Sequence, residues 1–294
     1  MIKTILAPLV GMKSDVGVLK TAQAVAQLSG AHIDALHVRP DAAQVAIRTA
    51  GFDGGTGASC LITPEIVQAL EQDFKTTAAV AHRTFDDFAA AADIPKTRNQ
   101  TESKTVTARF LQMVGDQIQG VVAEARVREL VVLGRPDEIS GLGMQGVGDV
   151  LIRAGRPVLL ATDTAPNSIG HNIAIAWKDS AEAARAMTAA MPLLEKAQRV
   201  VILTAAENGD DGKLAAISTK RLADQLAWHG IPAEVRSIAP GADASESILE
   251  AAHRFGADLL VMGGYGHSRA REFVFGGFTR RVLQDSPLPV LMSH

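Results

Sequence analysis

Two stretches of this 294-residue chain carry the same hydrophobic pattern. Glu129-Leu130-Val131-Val132-Leu133-Gly134 and Asp258-Leu259-Leu260-Val261-Met262-Gly263 each place an acidic residue, four apolar residues and a glycine in line. Apolar residues without alternation predict a strand buried on both faces, as in a parallel sheet covered by helices on both sides. A helix-period segment precedes each run (118–125 and 248–253), and a Pro-Val-Leu strand follows each, from Pro157 and from Pro289. Opening strands are predicted at 2–8 and 172–177, followed by helices and by second strands at 33–38 and 200–205. Midway, Asp93-Ile94-Pro95 matches Gly230-Ile231-Pro232, each closing a helix and opening a short strand.

The offsets between matching residues locate an insertion. Ala7 and Ala176 lie 169 positions apart, whereas Ile94 and Ile231 lie 137 apart, so the first copy carries roughly 32 extra residues before its Ile-Pro anchor. That stretch includes Thr49-Ala-Gly-Phe-Asp-Gly-Gly-Thr-Gly-Ala58, a glycine-rich loop by composition. Residues 162–171 are polar with Pro and Gly and read as a linker. The layout predicts two units, 1–162 and 171–294, each β-α-β-α-β-α-β-α-β. Strands alternating with helices favour right-handed crossovers and an open, doubly wound α/β sheet. A closed β/α barrel has a similar alternation, but the repeat and the linker favour two open sheets.

Length and composition narrow the function classes. The chain suits two domains better than one, and 47% apolar with 21% charged residues is ordinary for a globular protein. A net charge of −3 supplies no basic field, and 4% aromatic residues supply little stacking surface, so nucleic acid is not an expected partner. No run of 18 apolar residues occurs, so no membrane association is expected. Residues 1–8 read as a strand and not as a secretory leader. A single cysteine, Cys60, forms no internal disulfide and fits the cytoplasm, the expected location. Eight histidines lack metal-ligand spacing. No nucleophile elbow, Walker loop or general base stands out, so little enzyme chemistry is expected.

In open α/β sheets, ligands bind beyond the carboxyl ends of the strands where strand order reverses. The first and fourth strands flank that crevice. In the second copy this selects Trp177-Lys178-Asp179-Ser180 and the segment from Gly263 to Thr279. Gly263 and Gly266 end a strand, where missing side chains let backbone N–H groups approach a ligand. Gly276 and Gly277 precede a helix-like stretch in which Phe278 with Val282, and Thr279 with Leu283, share neighbouring turns. A helix N-terminus offers N–H donors and a positive dipole end to a phosphate. The alternative is that these glycines serve turns and close packing. Asp179 and Glu182 have capping-box spacing before a helix at 181–194. Arg269 and Arg271 read either as phosphate partners or as solvated charges, and His267 as a modulator or a surface histidine. Trp177 and Trp228 read as core or domain-interface residues.

The spacing Gly263-x2-Gly266-x9-Gly276 resembles the nucleotide loop of the universal stress protein family, G-x2-G-x9-G-[S/T]. The strand ahead of it, and Pro289 thirteen residues after Gly276, also fall where that family has them. The likeness extends over both halves, so the chain resembles a tandem universal stress protein. The resemblance implies two Rossmann-like (adenine nucleotide alpha hydrolase-like) domains, each a five-stranded parallel sheet with helices on both faces. In the family, loop amides and the Ser/Thr hold ATP phosphates, and an acidic or amide residue after the first strand contacts adenosine. By position, Gly263, Gly266, Gly276 and Gly277 line the phosphates, with His267, Ser268, Arg269, Phe278 and Thr279 beside them. Trp177, Lys178, Asp179 and Ala205 fall on the adenosine side.

Two departures stand out. Gly277 replaces the family's Ser or Thr, and a hydrogen bond to a charged group is worth about 1.5–3 kcal/mol, or about 10–100-fold in affinity. Thr279 is the nearest substitute hydroxyl. Lys178 stands where an acceptor is expected and cannot accept a hydrogen bond, though it can reach a phosphate; Asp179 would accept if the loop shifted by one. The first half departs further. Asp137 replaces the second glycine, Met144 the final one, and Leu9 the adenosine contact, so no nucleotide is expected there. The resemblance implies a stress-response regulatory module that binds ATP or another adenine nucleotide, with Mg2+, in its second domain. The alternatives are a nucleotide-free interaction module and, less favoured, a slow ATP hydrolase. It also implies an intramolecular pseudo-dimer through the last strands, and a homodimer beyond it.

Overall fold

The computed structural model describes residues 1–50, 63–97, 105–136, 142–162, 168–205, 209–239, 244–264 and 277–294. Its first half runs β1 (Thr4–Pro8), α1 (Asp15–Ser29), β2 (His32–Arg39), α2 (Ala42–Ala50), α3 (Pro64–Ala91), β3 (Thr107–Val114), α4 (Gln117–Ala125), β4 (Leu130–Leu133), α5 (Gly143–Arg153) and β5 (Val158–Leu160). The second runs β6 (Asn172–Ala176), α6 (Ala181–Leu194), β7 (Arg199–Ala205), α7 (Gly209–Trp228), β8 (Ala233–Ile238), α8 (Ala244–Phe255), β9 (Leu259–Gly263), α9 (Gly277–Asp285) and β10 (Val290–Ser293).

The strands line up as β3-β2-β1-β4-β5-β10-β9-β6-β7-β8. Each half is parallel throughout, and the halves join where β10 runs antiparallel to β5, Leu291 opposite Leu159. Strand order reverses between β1 and β4 and again between β6 and β9, which makes both halves doubly wound. The core divides accordingly into two layers. One packs Val18 of α1, Phe85 of α3, Ala186 of α6 and Leu222 of α7 on one face. The other packs Val121 of α4, Val147 of α5, Ile248 of α8 and Val282 of α9 on the opposite face.

The acidic residue that opens each apolar run has the same structural task in both halves. Glu129 accepts the backbone N–H groups of Lys3 and Thr4, at 2.5 and 3.0 Å. Asp258 accepts those of His171 and Asn172, both at 3.0 Å, and the Ser168 hydroxyl at 2.8 Å. Each carboxylate thus pins the start of the neighbouring first strand, where backbone donors would otherwise lack a sheet partner. The repeat in the sequence is a repeated clamp.

The insertion in the first half is helical where it is described: α2, and an α3 of 28 residues against 20 for α7. Cys60 and much of the glycine-rich stretch lie outside the described residues. One expectation is corrected. The third strand of the first half does not open at Ile94-Pro95 but at Thr107. Residues 95–97 instead lie along the outer edge of β3, with Ala108 N–H donating to Pro95 O and Thr97 N–H to Ala108 O. Beside β2, the eight-residue β3 makes the longer ladder and takes the place in the sheet.

A charged cluster is buried under this half. Asp34 on β2 is 1% exposed and receives His32, Arg109 and Arg128, with Arg128 Nε at 2.5 Å and His32 Nε2 at 3.2 Å. Arg128 also reaches Glu124 at 3.2 Å. Burial alone would push the Asp34 carboxyl up, but hydrogen bonds from His32, Arg109 and Arg128 outweigh it and hold the group well below the usual carboxylate range. A depressed carboxyl stabilises the fold above its unfolded value of about 3.9, and that contribution is lost as pH falls through the folded value. Asp34→Asn should therefore destabilise the chain by about 3 kcal/mol near neutral pH, because two guanidinium groups lose their anion. The gap from wild type should narrow in urea unfolding at about pH 3. A gap that widens in acid would assign the acid sensitivity to other carboxylates.

Candidate functional site

In the second half, the carboxyl ends of β6 and β9 flank the crevice that the topology selects. The N-termini of α6, α7, α8 and α9 all lie at the carboxyl rim of the sheet, because each helix follows a parallel strand. Their positive dipole ends favour an anion there.

The β6 side is built first. Trp177 continues the strand, donating its N–H to Leu203 O at 2.8 Å. Its indole Nε1–H donates to Ser218 Oγ on α7 at 3.0 Å, which ties the ring to the core layer beneath the rim. Lys178 and Asp179 follow and are exposed. The expected Asp179 cap is corrected: Ser180 is the N-cap of α6, and its hydroxyl accepts Ala183 N–H at 3.2 Å. Ser180 has the extended backbone a cap needs, one residue closer to the helix. Glu182 is buried, 4.0 Å from Arg185. Ala205 ends β7 half-buried, paired with Ile238.

At the end of β9 the glycines are explained by packing. A Cβ on Gly263 would lie 2.6 Å from Ala183 N and 2.9 Å from Glu182 C, so the bare strand end admits the first turn of α6. A Cβ on Gly264 would lie 2.6 Å from Leu151 of α5, in the other half. Gly264 N–H donates to Ser293 O at 2.9 Å. Close packing, one of the two sequence readings, is what the described residues show at these positions. Gly266, His267, Ser268, Arg269, Arg271 and Gly276 lie outside the described residues.

The chain is described again at α9. Gly277 is exposed, and nothing lies within 4 Å of a Cβ placed on it. Phe278 packs against the core, and Thr279 is buried on the inner side of the helix with Val282 and Leu283. Ala244 and Ser245 of α8 face Gly277, Phe278, Arg280 and Arg281 across an open groove of about 420 Å³. Arg281 is paired with Asp285 at 2.6 Å. The groove has ligand dimensions and couples two helix N-termini with arginine. Sequence spacing selected its α9 side but not Ser245 or Arg280.

The corresponding crevice in the first half is closed by its own residues. Leu9, at the adenosine position, is 2% exposed. Asp15 turns back and accepts the N–H groups of Val10, Gly11 and Met12 at 2.9, 2.8 and 3.3 Å. Burial pushes its carboxyl up, against those three hydrogen bonds and the nearby His37. Gly11 has φ +79°, and a Cβ there would lie 2.6 Å from Thr77 O, so α3 packs directly on this loop. Among the described residues the remaining space, beside Pro8, Gly134 and Leu142, is about 20 Å³, room for one water. Met144 belongs to α5 and packs on the core; Asp137 lies outside the described residues. Asp15 was not singled out from the sequence, where the run Gly11-Met-Lys-Ser-Asp15 reads as an ordinary helix start.

Comparison with known proteins places this geometry. Residues 170–294 match the universal stress protein family. The universal stress protein Slr1230 of Synechocystis is 24% identical over 269 residues, 89% of each chain. A crystal structure of a universal stress protein from Archaeoglobus fulgidus is similar with a TM-score of 0.70 at 17% identity, covering 98% of this chain and 97% of that one. The family's fold therefore runs through both halves.

The packing at Gly263 can be tested against its counterpart in the first half. Gly263→Ala should destabilise the protein by about 1–3 kcal/mol, because its Cβ meets helix backbone and not a movable side chain. At Gly134 the nearest atom is Val18 Cγ2 at 3.5 Å, so Gly134→Ala should change stability by less than about 0.5 kcal/mol. Urea unfolding of both variants reads the difference; equal losses would contradict it.

Proposed function

We propose that this chain, whose second half is a universal stress protein domain and whose full length has that family's fold, binds an adenine nucleotide at the carboxyl rim of its second half. The stress-response role comes with the family; nucleotide binding without efficient turnover is our reading of this member. The observation that carries it is the pairing of the Gly263, Gly266, Gly276 spacing with the convergence of the α8 and α9 N-termini on one arginine-lined groove. With Gly263 and Gly264 packed against α6 and Leu151, this reading assigns the phosphates to the α9 N-terminus. Arg280 and Lys178, both exposed at this rim, supply positive charge for the phosphates. A magnesium ion would accompany the triphosphate. In the first half Asp15 already occupies the loop amides, and a second anion there would meet its carboxylate.

A nucleotide-free interaction module is the competing reading, favoured by Lys178 at the acceptor position and by the missing hydroxyl at Gly277. Denaturing freshly purified protein should release adenine nucleotide, or titration calorimetry with millimolar ATP should give a binding isotherm. An empty supernatant together with a flat titration would sink nucleotide binding and leave the interaction module. A Cβ on Gly277 meets open space, so Gly277→Ser should restore the family's hydroxyl and tighten ATP by about 10-fold or more. Gly266→Asp should abolish binding with unchanged circular dichroism; retained affinity would move the site elsewhere.

A further inference from the structure

Trp228, at the end of α7, was expected in the core or at the interface between the halves. It is 89% exposed. It ends a line of solvent-facing residues, Ile217, Arg221, Asp224 and Trp228, at i, i+4, i+7 and i+11. At about 100° per residue these four fall within about 60° of one another, on the side away from the core-facing Leu222 and Leu226. Ile217 is 49% exposed. Among the described residues neither Arg221 nor Asp224 is held in an ion pair.

The stripe is complementary to itself in one orientation. Two α7 helices placed antiparallel, with a two-fold axis midway between Leu222 and Ala223 along the helix, set Ile217 against Trp228 and Arg221 against Asp224, each contact occurring twice. Parallel placement would set arginine on arginine and aspartate on aspartate. The i, i+4, i+7, i+11 spacing is the narrow seam of antiparallel helix pairs crossing near 20°. A two-fold contact of this kind uses one patch on both subunits. We propose that α7 is a docking surface for a second copy of this chain, through an antiparallel α7–α7 contact centred on Trp228 and Ile217 with two Arg221–Asp224 ion pairs.

The surface belongs to the second half alone. By the 137-residue offset of the Ile-Pro anchors, the same places on α3 carry Val80, Thr84, Asp87 and Ala91, with neither an aromatic nor a cation. The contact lies on a helix and leaves the β5–β10 joint untouched, so it adds a second level of assembly to the pairing within the chain. It does not depend on nucleotide binding. One helix pair buries less than the roughly 800 Å² per partner of standard stable interfaces, so the dimer is weak and set by concentration.

Analytical ultracentrifugation of the full chain over a rising concentration series tests the proposal. A monomer–dimer equilibrium is expected, with Trp228→Ser and Ile217→Asp each weakening it by about tenfold or more. Arg221→Asp alone and Asp224→Arg alone should both weaken it, and the double variant should recover association, because only the antiparallel register pairs the two positions. All four positions are exposed, so circular dichroism should match wild type. A chain that stays monomeric throughout would overturn the proposal. So would a dimer indifferent to Trp228→Ser, or a double variant no better than the singles.

Discussion

Three residue pairs hold the two halves in one sheet: Leu160 with Val290, Leu159 with Leu291, and Val158 with Met292, running antiparallel. An antiparallel joint between two parallel units relates them by an approximate two-fold axis, and each half keeps its own reversal of strand order. The seam also makes each unit part of the other's packing. A Cβ on Gly264 would press on the Leu151 side chain of α5, and Arg135 donates to Gln284 O at the end of α9 at 3.0 Å. Lys196 reaches Leu28 O across the other face. A change at the end of β9 is therefore felt in both halves, and the residues bordering the candidate site are restrained from outside their own unit.

Within this shared frame the halves treat the same crevice in opposite ways. The first fills it: a carboxylate takes the loop amides, a buried leucine takes the neighbouring position, and α3 packs on the loop at Gly11 through Thr77. The second leaves its rim polar and exposed, with Lys178 and Asp179 on one side and Gly277 and Arg280 on the other. A buried carboxylate that accepts three N–H groups has satisfied those donors, and a phosphate would have to displace it against like charge. One half then works as a structural partner and the other is the chemically open one.

Much of this was legible in the sequence because it depended on local pattern. The apolar runs at 130–133 and 259–262 are buried strands in both halves, and the prolines at 157 and 289 precede the last strands as expected. The offset of the Ile-Pro anchors correctly placed extra chain between β2 and the end of α3. Where a residue's role depended on what the fold brings against it from elsewhere, pattern was insufficient. Asp179 and Ser180 both suit a helix cap, and only the backbone path chose Ser180. Trp228 is apolar enough for a core, yet its place on α7 turns it to solvent, beyond the arc that Leu222 and Leu226 bury.

What the sequence by itself determined was the repeated doubly wound α/β unit, the buried strands and the glycine spacing after β9. Burial on two faces and a helix N-terminus after a strand leave signatures in neighbouring residues. What only the tertiary structure decided was the purpose of particular side chains and of their absence. Gly263 is bare because the backbone of α6 lies against it, and Asp15 is acidic because its own loop amides turn back onto it. Those partners are distant in the chain or depend on a backbone turn, and a contact made by folding has no spacing in the sequence by which to be read.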